Sequence, residues 1–241
     1  MGKIFAVTSG KGGVGKSTVS AGLSLAFSGQ GFKTLIVDMD EGLRCLDLML
    51  GVDKEVVLDL SDILQGREIS DAVYTVNENL SLVPAPQKAG MIDAYLLTNF
   101  ITSVKDLYDI IIFDFPAGID FSLYETLPKD TLFLTVAFPD AVTVRDAATV
   151  SNLLSQMGLN SRLIINRYDY KFLKRRFYKN LDDIIDEAQL QLIGVLPVSL
   201  ELQALSHGMP LKKNGNAMKA LIRISKRLNG EHILLPKIKK I

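Results

Sequence analysis

The sequence predicts an α/β fold, a doubly wound and mostly parallel sheet between two layers of helices. Three observations predict it. Seven short β-rich runs recur along the chain and alternate with helical stretches. Most of these runs are continuously apolar, which marks strands covered on both faces. The first run leads at once into a glycine-rich loop and a helix candidate, the order found in a βαβ unit.

The expected strands are Ile4–Thr8, Thr34–Asp38, Leu80–Pro84, Ile110–Asp114, Thr131–Ala137, Leu163–Asn166 and Ile193–Leu196. The expected helices are Ser17–Gly29, Ala89–Leu107, Val144–Met157, Leu181–Gln191 and Asn216–Leu228. Gly29 or Gly31 stops the first helix, and Asn229-Gly230 ends the last. No repeat, low-complexity segment or linker interrupts the pattern. Residues 1–230 are therefore expected to form one domain, with a basic and apolar tail over 231–241.

Hydrophobic residues make up 48% of the 241, enough to bury a large core. The net charge is zero, so no global field draws the chain to nucleic acid or membrane. The charge is uneven, however: nine Lys or Arg and one acid, Glu231, lie between His207 and Ile241. A lone cysteine, Cys45, excludes an intrachain disulfide and fits a reducing cytosol. The opening MGKIFAVTSGKGG is too briefly apolar for a signal peptide, and Ala6 misses the myristoylation pattern. No apolar run reaches the ~18 residues of a membrane span. A cytoplasmic protein is expected unless something docks it.

The loop Ser9–Thr18 reads SGKGGVGKST. Glycines let successive backbone N–H groups turn inward around phosphate oxygens without Cβ collisions. The helix that follows aims its free N–H groups and partial positive charge at the same anion. Gly10, Gly15, Lys16 and Ser17 fit the P-loop spacing, with Lys11, Gly12, Gly13 and Val14 filling the cradle. Lys16 is expected at the terminal phosphates, Ser17 at Mg²⁺ and Thr18 at a phosphate oxygen. Lys11 is not needed for the pattern. It is either a solvated loop cation or a second positive charge where phosphoryl transfer builds negative charge.

Asp38 and Asp40 stand two apart at the end of a strand, so their side chains share a direction. Two acids beside a phosphate site suit the waters of a bound cation and a nucleophilic water. Asp114 ends another apolar strand, where a metal-binding acid is expected. Asn166 closes the strand run LIINRYD; its amide suits one edge of adenine, or it caps a turn.

KGGVGKST resembles the deviant P-loop of the ParA/MinD ATPases, with Lys11 at the position of their signature lysine. DMDEGLRCLD resembles the MinD branch at Asp38, Asp40, Gly42, Leu43, Arg44, Leu46 and Asp47, with Cys45 in place of an asparagine. DFPAGI resembles the family's Asp-Ser-Pro-Ala-Gly-Ile, with Phe115 in place of a small polar residue. The resemblance implies a Mg²⁺-dependent ATPase that dimerises face to face when ATP-bound. It implies that Lys11 crosses to the partner's phosphates, that Asp40 positions the attacking water, and that Asp38 and Asp114 lie near the metal. Asn166 followed by Arg167 matches the family's adenine-contacting pair. Gly194–Pro197 resembles a segment that closes over the base, though Val198 and Ser199 replace the usual acidic or polar residues. In the MinD branch the cycle places a dimer on the membrane to position the division site, with a protein partner as activator.

Two basic stretches remain. Tyr170–Asn180 mixes five cations with four aromatics and is either a solvated helix face or a surface for phosphates and bases. The tail His232–Ile241 combines Lys237, Lys239 and Lys240 with five aliphatic residues, a character that suits an anionic membrane at the inner face of the cell. Three functions stay open: a MinD-type membrane switch, a ParA- or flagellum-placement relative acting on nucleic acid or a protein partner, and a metabolic P-loop enzyme. The single cysteine weighs against iron–sulfur carriers, and the lack of a substrate-domain insertion weighs against ligases.

Overall fold

A computed structural model describes residues 2–170, 178 and 180–236. Eight strands form one sheet in the order β3-β4-β2-β5-β1-β6-β7-β8. They are β1 (Lys3–Thr8), β2 (Thr34–Asp38), β3 (Tyr74–Asn77), β4 (Leu80–Val83), β5 (Ile110–Asp114), β6 (Leu132–Ala137), β7 (Asn160–Tyr168) and β8 (Leu192–Pro197). All pairings are parallel except β3 with β4.

The apolar strands are buried on both faces. Along β1, Phe5 and Val7 enter one core, while Ile4 and Ala6 enter the other. β5 splits the same way, with Ile110 and Ile112 against Ile111 and Phe113. The first core packs under α1 (Lys16–Ser28), α2 (Leu46–Leu50), α8 (Leu200–Leu205) and α9 (Asn216–Leu228). The second packs under α3 (Leu60–Leu64), α4 (Ala94–Val104), α5 (Phe121–Glu125) and part of α6 (Ala141–Gln156). A third, smaller core joins α6, β7 and α7 (Leu181–Ala188). Gly22 of α1 lies directly against Leu221 of α9, and a Cβ there would collide with it.

The expected strands and long helices are present, with boundary shifts that have causes. The helix expected from Ala89 starts at Ala94, because Asp93 caps it by accepting from Leu96 N–H. β7 runs from Asn160 to Tyr168, longer than expected, because six of its residues pair with β6. The helix expected to reach Gln191 ends at Ala188, where Gln189 turns left-handed at φ 52. β3 was not expected: its residues are half-buried or exposed, so it lacks the apolar run of the other strands. Residues 171–177 and 179 of the basic stretch, and 237–241 of the tail, lie outside the described residues. Among the described residues, no helix is long and apolar enough to cross a membrane.

Candidate functional site

The parallel strands β1, β2 and β5 all end on one edge, where an open α/β sheet binds ligands. Between β1 and α1 the chain makes the glycine-rich loop of residues 9–15. Gly13 and Gly15 take φ of 81 and 86, which an L side chain rarely adopts. Gly10 sits against Asp146 of α6 with no room for a Cβ, and Gly12 faces Ala117 at 3.7 Å from the position a Cβ would take. The Ser9 hydroxyl donates to the Lys11 carbonyl at 2.7 Å, fixing the entry to the loop. Val14 is buried and anchors the loop in the first core.

Lys16 opens α1 and is 8% exposed, and its charge acts on Asp40 and Asp114; Lys11 is exposed. Ser17 and Thr18 follow on the first turn of α1, both half-buried. Ser20, one helical turn after Ser17, donates to Asp114 Oδ1 at 2.7 Å. The signal for Ser20 was present in the sequence as the i,i+3 spacing, which puts both hydroxyls on one face.

Asp38 and Asp114 stand opposite each other in register on β2 and β5. Burial raises both carboxyls above the ordinary range. The Asp114 charge pushes Asp38 further up, while the Ser17 and Ser20 hydroxyls and Lys16 draw Asp114 back down. Asp38 Oδ1 accepts from Asp40 N–H at 3.0 Å, and its Oδ2 accepts from Cys45 and Leu46 N–H, each at 3.3 Å. So Asp38 braces the turn 39–46 and the start of α2. Asp40 is raised by burial and held down by the Lys16 ammonium, which puts it beside the loop.

The second oxygen of Asp114, Oδ2, is buried without a hydrogen-bond partner among the described residues. An orphaned carboxylate oxygen is costly unless a cation or an ordered water fills it. The donors around it, a serine hydroxyl and two carboxylates, are the hard oxygen ligands Mg²⁺ prefers. The residues present therefore fit Mg²⁺.

Residues 5–211 match the family of CobQ/CobB/MinD/ParA nucleotide binding domains. The chain belongs to this family. It is 32% identical to the septum site-determining protein MinD of Thermotoga maritima, over 98% of this chain and 91% of that one. It is 33% identical to the same protein of Synechocystis, over 97% and 91%. In solved structures it resembles the MinC:MinD cell division protein complex of Aquifex aeolicus, with 33% identity, a TM-score of 0.87, and 98% and 99% of the two chains covered. It also resembles the septum site-determining protein MinD complexed with Mg-ADP from Pyrococcus horikoshii, with 29% identity, a TM-score of 0.81, and 95% and 96% covered.

Of the other expected site residues, Asn166 and Arg167 lie beside the loop. Asn166, 4% exposed, donates from Nδ2 to Val14 O at 2.9 Å and accepts its neighbour's Arg167 N–H at 2.9 Å. Both ends of the amide expected to read adenine are thus engaged inside the chain. Arg167 is exposed, with φ 52 and its guanidinium 4.8 Å from the centre of the Phe138 ring. Thr18, Asn166 and Arg167 line a cleft of about 120 Å³ with Pro197, Ser199, Leu202 and Gln203. The segment after Pro197 is therefore beside the loop, as the family resemblance expects. Its polar lining comes from Ser199, at one of the usual acidic or polar positions, and from Gln203, a turn further along.

One departure from the family's motifs is accounted for by packing. Phe115 is buried edge-on against Tyr124 at 5.0 Å and 89°, and Tyr124 in turn stands against Phe133 at 5.0 Å. The Tyr124 hydroxyl bonds both Thr8 at the end of β1 and the Gly118 carbonyl, so the aromatic trio ties the P-loop strand to the Phe115–Gly118 turn. Cys45 lies near Ser17 and all three acids; burial pushes its thiol up to about 12, so it is a neutral group there.

Proposed function

We propose that the chain is a MinD-type ATPase that acts as a nucleotide switch in positioning the division site. The observation that carries this reading is the pairing of a buried Lys16 at the head of α1 with the facing carboxylates Asp38 and Asp114, one of which holds an orphaned oxygen. A cation and facing carboxylates at a helix N-terminus suit a triphosphate and its metal ion together.

In this reading the backbone N–H groups of residues 10–15 and the α1 N-terminus cradle the phosphates. Lys16 contacts the terminal phosphates, and Thr18 adds a hydrogen bond beside them. Ser17 and Asp114, with Asp38 close by, would hold Mg²⁺, which when bound neutralises phosphate charge. Asp40 orients the attacking water. The cleft beside Arg167 takes the base, while Asn166 braces the loop through Val14. Lys11, exposed at the rim, reaches the phosphates of a second chain, so two ATP-bound copies complete one another's sites. Hydrolysis then releases the dimer, and turnover is slow because two chains must assemble.

The basic, apolar tail after His232 docks the dimer peripherally on an anionic membrane surface at the inner face of the cell, two weak anchors acting together. A protein partner activates turnover on that surface. Co-sedimentation with anionic vesicles and with duplex DNA, each with and without ATP, tests this. ATP-dependent recovery with vesicles supports the reading, and ATP-dependent recovery with DNA alone would replace it with a nucleic-acid switch.

A further inference from the structure

Asp40 belongs to a turn, residues 39–43, that is held from outside the nucleotide pocket. Glu41, its neighbour, reaches across to the segment that precedes α4. Glu41 Oε1 accepts the N–H groups of Met91 and Ile92, each at 2.7 Å, and Oε2 accepts Gly90 N–H at 3.0 Å. Three successive backbone donors converging on one carboxylate form an anion nest, and charge-assisted bonds of this length are the strong kind. A second tie lies one residue on, where Gly42 N–H donates to Pro86 O at 2.9 Å. Gly42 takes φ 77, a geometry that lets the turn double back to make both ties.

We propose that Glu41 is a positioning residue for ATP turnover: it locks the turn carrying Asp40 onto the 86–92 segment and so fixes the direction of the Asp40 carboxylate. This rests on the reading of Asp40 as the group that orients the attacking water. Three features favour a catalytic consequence over simple loop packing. The clamp's donors are exposed or half-exposed, so water would satisfy them if Glu41 were removed, and the fold has little need of it. The clamp grips the residue next to Asp40, not the phosphate cradle. And the loop it holds leads directly into the Asp93 cap of α4, so the turn carrying Asp40 is joined to the start of that helix.

The test compares Glu41→Ala, Glu41→Gln and Asp40→Ala in the full chain, reading ATP affinity, single-turnover hydrolysis with Mg-ATP, and amide hydrogen exchange over residues 88–93. Glu41→Ala is expected to slow hydrolysis about tenfold with affinity within about twofold, because only orientation in the transition state is lost. Its exchange at 90–92 should speed up. Glu41→Gln keeps one oxygen for Met91 and Ile92 and is expected to recover to within about threefold of the parent rate. A parent rate in Glu41→Ala, with Asp40→Ala still impaired, overturns the clamp alone. Equal losses of rate and affinity without rescue by glutamine also overturn it, since that marks a structural role. A parent rate in Asp40→Ala removes the role of Asp40 itself, and the clamp with it.

Discussion

Asn166 holds the P-loop from behind: its Nδ2 donates to the Val14 carbonyl at 2.9 Å, across 152 residues of sequence. The amide also fills the space where a Cβ on Gly15 would stand. The loop's curvature is therefore set by a side chain from β7 as much as by its own glycines.

This relationship predicts two losses. Asn166→Ala leaves the buried Val14 carbonyl unpaired, a cost of about 1–3 kcal/mol, and should weaken nucleotide binding roughly tenfold. Gly15→Ala collides with that amide and strains φ 86 as well, and should bind still more weakly. Calorimetric titration with ATP checks both. Parent affinity in Asn166→Ala would mean the loop holds its shape unaided.

Phe115 predicts a stability effect. Truncation to alanine removes a fully buried ring from the trio with Tyr124 and Phe133 and should cost about 3–5 kcal/mol. Urea denaturation of the variant checks this. A loss below about 1 kcal/mol would show that the aromatic stack is not a principal support of the turn.

Asp38 predicts a pH dependence of the apo protein. Burial and the Asp114 charge lift its carboxyl from the ordinary 3.8 to about 7. The folded state thus holds a proton that the unfolded state releases earlier. Stability from this group is fully present below the ordinary value and is lost as pH rises toward 7, by up to about 1.4 kcal/mol per pH unit. Thermal melting without nucleotide should fall between about pH 4 and pH 7, and Asp38→Asn should flatten that fall. Identical slopes in the two proteins would contradict the assignment.

Much of this was legible in the sequence, because it rests on local rules. The P-loop spacing located the cradle, and continuous apolar runs located the two-faced strands β1, β2 and β5 within a residue. What was not legible depends on partners far away in sequence. β3 is a half-exposed edge strand specified by its hairpin with β4. The short α2, α3 and α5, of five residues each, are too brief to carry a period and are fixed by packing and caps. The start of α4 was placed five residues early, because the apolar pattern from Ala89 outweighed the Asp93 cap that begins the helix. Asn166 was expected at adenine, and nothing local reveals that its amide also holds the Val14 carbonyl.

Lys16 separates binding from everything after it. It is 8% exposed at the head of α1, whereas Lys11, the loop's other cation, is exposed. Lys16→Ala should lose ATP affinity by a hundredfold or more, about 3 kcal/mol for a charge-assisted phosphate contact. Fluorescent-nucleotide titration measures it. Near-parent affinity would mean the triphosphate binds elsewhere.

The central claim is that one chain's site is completed by another, and Lys11 tests it most directly. Mass in solution and ATP hydrolysis are measured together for the parent and for Lys11→Ala, with Mg-ATP. The account predicts that ATP doubles the parent's mass, and that Lys11→Ala still binds ATP but neither hydrolyses it nor gains the activity of the doubled species. A Lys11→Ala protein that hydrolyses ATP at the parent rate, or a parent that hydrolyses as a monomer, would contradict it.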